Sequence, residues 1–468
     1  QGGRHGRGRP IRMTDLRLGV VLAAVLAAPA STQDAIHDLL AGAVKEVSSE
    51  RIEATVRTLC GFGTRHPLSD TESDTTGTGA ARKWLMAAYQ EIAASSNGRL
   101  QVAFQTATVP CRRRGMPPEM EIVNVIATLR GATDPERIYV VGGHYDSRNG
   151  RGEDGVNPAP GAVDDASGTA VALEACRVLS AHELPATLVF VAYDGEEQGL
   201  LGSMAHAQQM AEQDAAIDGM ITCDIVGNTL GMDGRRYRDY VRCFSYAPSG
   251  NDSFGRSLAR AVTRGCRQYV PGFRVKLIYR GDRYGRGGDH RSFFDQGYPA
   301  VRMTEPREDF SRQHQNIRPR DGKPYGDLPD FADFVYSAKV ARVVVATLGE
   351  LASAPPPPLV LTARLARDAY DTEVLFKLPA GVTEYEFVWR ETTEADWSHV
   401  VAMDQVTTKP SRGGRIMARL PEVCLDDVVV GVMTIAANGA RSRVATPPEP
   451  DRFAQRPTGK RQTATKKK

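Results

Sequence analysis

The sequence predicts an α/β protein, with a mostly parallel central sheet covered by helices on both faces, followed by a small all-β sandwich. Three observations predict it: apolar runs that alternate with helical patterns before residue 353, a tetraproline at Pro355 to Pro358, and short strand-like runs after it. Ile122 to Leu129, Ile138 to Val141, Thr187 to Ala192, Met220 to Cys223 and Ala300 to Met303 have the length and composition of strands. Thr169 to Ser180 and Leu200 to Glu212 carry helical periodicity between them, and such alternation implies parallel strands joined by helical crossovers. Phe331 to Leu351 reads as a helix that the prolines end. Beyond them, Glu373 to Leu378, Glu384 to Arg390, His399 to Met403 and Val428 to Ile435 read as short strands, with Trp389 and Trp397 as core anchors.

The expected organisation follows. Residues 1 to 12 form a leader before Met13, and 13 to 30 a signal peptide with an apolar run from Leu18 to Ala28 and small residues Ala28-Pro29-Ala30. Residues 31 to 352 form the α/β domain, 353 to 359 a proline-rich linker, 360 to 450 the sandwich and 451 to 468 a basic, disordered tail. The apolar run is short for a membrane span, so export to the periplasm or medium is expected, with an uncleaved anchor as the alternative. The formal charge is +3, but residues 1 to 12 hold four arginines and the tail seven bases against Asp451, which leaves the body at −7. Basic ends without a basic folded face argue against a nucleic-acid protein. Seven cysteines without a C-x-x-C pair exclude a zinc-finger or thioredoxin reading, and in an exported chain imply one or two disulfides.

Ligand-type residues stand directly after the apolar runs. Ile138-Tyr-Val-Val-Gly-Gly143 ends at His144, Leu188 to Ala192 ends before Asp194-Gly-Glu-Glu197, and Met220-Ile-Thr-Cys223 ends at Asp224. In an open α/β sheet these positions share the carboxyl edge, where ligands bind. Imidazole with carboxylate suits zinc, which acidifies a water and polarises a carbonyl. Two ions about 3.5 to 4 Å apart need a shared carboxylate, for which Asp164 is the choice. Of the adjacent Glu196 and Glu197, one can hold metal while the other takes a proton. Asp165 reads equally well as a helix cap, and His37, His66, His182, His206 and His399 read as packing or surface residues.

The segments GGHYDS, GAVDDASGTA, YDGEEQGLLGS, CDIVGN and GDHRSFFDQGYPAV together resemble the secreted co-catalytic di-zinc aminopeptidases, the family of bacterial leucine aminopeptidases and aminopeptidase Y, over roughly residues 50 to 352. The resemblance implies a zinc exopeptidase fold and two zinc ions. It implies His144 and Asp224 on one ion, Glu197 and a final histidine on the other, Asp164 bridging, Glu196 as general base and acid, and Asp146 behind His144. The final histidine is His314, in a neighbourhood unusual for the family, with His290 as the alternative. Tyr284, Asp289, His290 and Phe293 are the candidate substrate pocket, and the role of Glu305 is open. The implied activity is release of N-terminal residues from peptides by a metal-bridged water that Glu196 activates, in a monomer with no nucleic-acid partner and no stable membrane span. Alternatives are a carboxypeptidase or glutaminyl cyclase on the same fold, or an inactive secreted binding protein. The downstream strands resemble a fibronectin type III module through Tyr385 to Arg390 with Asp396-Trp397, which implies a positioning role.

Overall fold

A computed structural model describes residues 35–246 and 252–448. The expected leader, signal peptide and basic tail lie outside them. Helices α1 (Ala35–Ala43), α2 (Ser49–Gly61) and α3 (Gly77–Ala94) come first, then strands β1 (Leu100–Pro110), β2 (Glu119–Leu129) and β3 (Asp134–His144). Next come α4 (Ser167–Leu179), β4 (Ala186–Tyr193), α5 (Leu201–Glu212), β5 (Ala216–Cys223) and β6 (Tyr240–Ser245). After α6 (Phe254–Tyr269), β7 (Arg274–Ile278), α7 (His290–Asp295) and β8 (Ala300–Thr304), a hairpin of β9 (Arg318–Arg320) and β10 (Lys323–Tyr325) precedes α8 (Phe334–Ser353).

Strands β1 to β8 form one sheet in the order β1-β2-β4-β3-β5-β8-β6-β7. Its centre, β4-β3-β5-β8, is parallel, while the β1-β2 and β2-β4 pairs on one side are antiparallel, and on the other β6 runs antiparallel to β8 but parallel to β7. Strand β4 lies on one side of β3 and β5 on the other, so loops leaving the carboxyl ends of these strands diverge around a crevice.

Alternation along the buried strands explains the layers. Leu188, Phe190 and Ala192 of β4 join a cluster with residues of α2, α4 and α8, whereas Val189, Val191 and Tyr193 pack with Ala207 of α5 and Phe293 of α7. A strand apolar at every position therefore serves two cores, one on each face. The last helix begins at Phe334 rather than Phe331 because Asp333 caps it, accepting from the Tyr336 amide at 3.1 Å.

Past the prolines, β11 (Leu359–Leu365), β12 (Thr372–Lys377), β13 (Glu384–Glu391), β14 (His399–Ala402), β15 (Thr407–Ser411), β16 (Arg415–Leu420) and β17 (Val428–Ile435) form two antiparallel sheets, β11-β12-β16-β15 and β14-β13-β17. They enclose a cluster of Val374, Phe376, Phe387, Ala418, Val430 and Val432, on which Trp389 packs half-buried. Arg443 pairs with Asp218 at 2.7 Å, and the Thr434 hydroxyl donates to Pro356 O at 2.9 Å.

The expected disulfides do not form: all seven cysteines are free thiols, five of them buried. Cys176, Cys223, Cys243 and Cys266 sit within α4, β5, β6 and α6, where each thiol fills core space as a small apolar group. Among the described residues no helix is long and apolar enough to cross a membrane.

Candidate active site

His144 is the last residue of β3 and is fully buried. Its Nδ1 faces Asp146, 3.3 Å from Oδ1 and 3.1 Å from the backbone oxygen. The Asp146 carboxylate also accepts the backbone N–H of Glu196 at 3.0 Å and of Glu197 at 3.2 Å. One buried carboxylate thus orients the imidazole and fixes the loop after β4 that carries both glutamates.

Asp164 lies in a single tight turn, Ala162–Ala166, ahead of α4. Its Oδ1 is 3.2 Å from His144 Nε2 and its Oδ2 is 3.0 Å from His314 Nε2. His314 is in turn 2.8 Å from Glu197 Oε1. Asp165 points the other way, accepting from the backbone amides of His144 (3.1 Å), Gly168 (2.9 Å) and Ile225 (3.1 Å). It caps α4 and ties the ends of β3 and β5 together, which leaves Asp164 to face both imidazoles.

Asp224 follows β5, 4.0 Å from His144 Nε2, and Arg302 holds it at 2.8 Å. The next residue, Ile225, has φ 60°, an uncommon conformation for a β-branched residue, and it turns the chain sharply at the sheet edge. His314 also takes the left-handed conformation, φ 51°, in the loop after β8. Such backbone costs on the order of 1 kcal/mol or more and persists where surrounding contacts over-determine it.

Two groups of ligand atoms result, His144 with Asp165 and Asp224, and Asp164 with Glu197 and His314, each within 4.8 Å of one another. Their electrostatics fit a cation. Burial, with help from Asp224, Glu197 and Asp289, pushes Glu196 well above the usual carboxylate range. Burial likewise raises Asp224. Burial opposes protonation of His314, yet Glu197 and Asp164 hold it up at about 10, so the site draws protons to offset crowded carboxylates. Divalent cations on these nitrogen and oxygen donors would relieve the same excess of negative charge.

Asp164, Glu196, Glu197, Asp224 and His314 line an open cavity of about 740 Å³, together with Arg113, Arg148, Arg283, Arg286 and Arg291. His290 stands apart from both groups: fully buried, it donates from Nε2 to Gly281 O at 2.8 Å. One of the expected pocket residues needs correction. Phe293 is buried against Tyr193, His206 and Tyr298 because its helix packs on the sheet, whereas Tyr284 is exposed and lines a depression beside the cavity. Asp289 is buried near the metal groups, where burial raises its pKa to about 7, but it does not line the cavity. Glu305 binds the backbone amide of Asn228 at 2.9 Å and serves the β5 loop.

Sequence reasoning missed Arg65, Asp327 and Arg302. Asp327 accepts the amides of Val163 and Asp164, and fully buried Arg65 donates to Tyr145 O, Leu59 O, Pro160 O and Gly161 O. Neither has a motif around it. Arg302 had a signal, a charge in the middle of an apolar strand.

Residues 124–325 match the family model described as Peptidase family M28. A probable zinc metalloprotease of Leptosphaeria maculans is 39% identical over 422 residues, which cover 86% of this chain and 95% of that protein. One from Pyricularia oryzae is 39% identical over 436 residues, covering 87% of this chain and 84% of its own. Among solved structures, the Legionella pneumophila LapA aminopeptidase aligns over 70% of this chain and 78% of its own at 21% identity, with a TM-score of 0.51. LapB of the same organism gives 0.50 at 19% identity over 68% and 74%. These structural likenesses concern the fold alone. With its fold, its ligand groups and relatives this similar along most of their length, the chain belongs to Peptidase family M28.

Proposed function

We propose that this chain is a zinc-dependent aminopeptidase that holds two zinc ions and releases N-terminal residues from peptides. The observation that carries it is the Asp164 carboxylate, which lies between the two ligand groups with one oxygen 3.2 Å from His144 Nε2 and the other 3.0 Å from His314 Nε2. His144 and Asp224 would hold one ion, Glu197 and His314 the other, and Asp164 both. Zinc so held supplies polarisation of the scissile carbonyl and acidification of water.

Glu196 faces the cavity and completes neither ligand group, so it is free for proton transfer. It takes the proton of the attacking water and returns it to the leaving amine. Asp146 keeps Glu196 and Glu197 in different roles by anchoring their two amides to one carboxylate. Export is proposed from the apolar run at 18 to 28, and cell fractionation tests it. The two sheets after the prolines fit a fibronectin type III-like module that positions the peptidase part, in keeping with the Arg443 to Asp218 pair between them.

The test is mass spectrometry of short peptides with free, acetylated and amidated ends, digested by zinc-loaded protein with Glu196→Gln as control. Stepwise loss from free amino termini is the expected result. Loss from carboxyl termini alone would move the substrate class, and no cleavage despite bound zinc would favour a binding protein.

A further inference from the structure

The active-site cavity opens onto a basic surface. Glu308 meets Arg242 at 2.8 Å and both Arg283 and Arg286 at 3.0 Å, so one carboxylate is shared by three guanidiniums. Arg283 and Arg286 line the active-site cavity and also a second depression of about 820 Å³, so the two adjoin along these side chains. The second is lined by Arg242, Lys276, Arg280 and Arg307 besides the shared pair, and Glu308 is the single acidic residue among its lining.

Aromatic rings partner several of these cations. Arg280 lies 5.4 Å from the Tyr284 ring centre, Lys276 6.0 Å from Tyr240, and Arg286 5.8 Å from Phe310. Such contacts hold a side chain in place without cancelling its charge. The groove therefore keeps a surplus of fixed positive charge beside the cavity, although the body of the chain is net negative.

We propose that this groove is a subsite for carboxylates of the peptide substrate, so that the enzyme prefers acidic peptides whose anionic segment lies along Arg283, Arg286, Arg280 and Lys276. The proposal rests on the peptidase reading and adds a substrate class to it. Guanidiniums bind carboxylates in paired hydrogen bonds. Adjacency to the cavity through Arg283 and Arg286 favours a peptide. The body's charge of −7 disfavours a long polyanion such as a nucleic acid.

The experiment uses full-length Glu196→Gln protein and fluorescein-labelled heptapeptides containing three Glu or three Gln, each with a free or amidated carboxyl end, read by anisotropy at two salt concentrations. The Glu peptides are expected to bind at least about tenfold more tightly, with the gap closing at high salt. Preference kept by the amidated Glu peptide assigns the groove to side-chain carboxylates, and preference only for free ends assigns it to the terminal one. Lys276→Glu/Arg280→Glu, two exposed residues outside the metal groups, should remove the preference and leave Gln-peptide binding unchanged, with Arg307→Glu as an independent second variant. Equal binding of Glu and Gln peptides, or a double variant that keeps the full preference, overturns the proposal. So does a single-stranded oligonucleotide that displaces the peptide at lower concentration than free acidic peptide does. Hydrolysis by the wild type separates the two readings: equal cleavage of both peptides rejects the subsite but keeps the peptidase. Charge-selective binding without any cleavage keeps the subsite and rejects the peptidase.

Discussion

The imidazole of His314 lies 2.8 Å from the carboxylate of Glu197, although one comes from the loop after β8 and the other from the loop after β4. His290, the other candidate, spends its Nε2 on Gly281 O and stands outside the group. The His314→Ala variant should therefore lose about one zinc per chain after dialysis, read by elemental analysis. His290→Ala should keep its metal, and the reverse pattern would exchange their roles.

Glu196 lies outside both ligand groups and lines the cavity, in keeping with the proposed role in proton transfer. Glu196→Gln should retain wild-type zinc content and lower kcat by about 10² to 10⁴-fold, the range a positioned general base supplies. A variant with unchanged turnover sinks the assignment.

Asp146 joins His144 to the amides of Glu196 and Glu197. Asp146→Asn turns an acceptor oxygen into a donor opposite N–H groups, so zinc affinity should fall by about 10 to 100-fold, measured by competition with a chromophoric chelator. Unaltered affinity would leave Asp146 as packing alone.

Arg65 holds the carbonyls of Leu59, Tyr145, Pro160 and Gly161 from a fully buried position. Arg65→Met fills similar space but leaves those acceptors without a donor, and should lower unfolding stability by about 3 kcal/mol in denaturant titration. Lysine should not restore it, since one ammonium lacks the reach of the planar fork.

His206 is buried between Tyr193 and Phe293, and burial lowers its pKa to about 4. The folded state keeps it neutral while the unfolded chain protonates near 6.5, so its contribution is complete above pH 6.5 and is lost as pH falls toward 4. The full loss is about 3 kcal/mol. Buried Asp194, raised to about 7 by burial, slopes the opposite way, so the informative quantity is wild type minus His206→Gln. That difference should shrink from pH 7 to 4, and a flat difference would rule the titration out.

Much of the architecture was readable because local physics wrote it into the chain. The apolar runs at Thr187 to Ala192 and Met220 to Cys223 fall inside β4 and β5, since a strand buried on both faces must be apolar at successive positions. The edge strands β1 and β7 and the interior strand β6 were missed: the edges are partly exposed, and Arg242 interrupts the apolar residues of β6, so none carries such a run. Phe293 was misplaced for a related reason, because hydrophobicity says that a side chain is buried and not against what.

By itself, then, the sequence determined the alternation of strands and helices, the break at the prolines, and the delivery of His144, Glu196, Glu197 and Asp224 to strand ends. Only the tertiary structure decided that His314 and not His290 meets Glu197, that Asp164 turns to both imidazoles while Asp165 turns to backbone amides, and that arginines scattered from Arg113 to Arg307 gather around two adjoining depressions. Periodicity and composition report what each segment buries. Which segments meet depends on strand order and loop conformation, and the charge of a chain says nothing about where folding concentrates it.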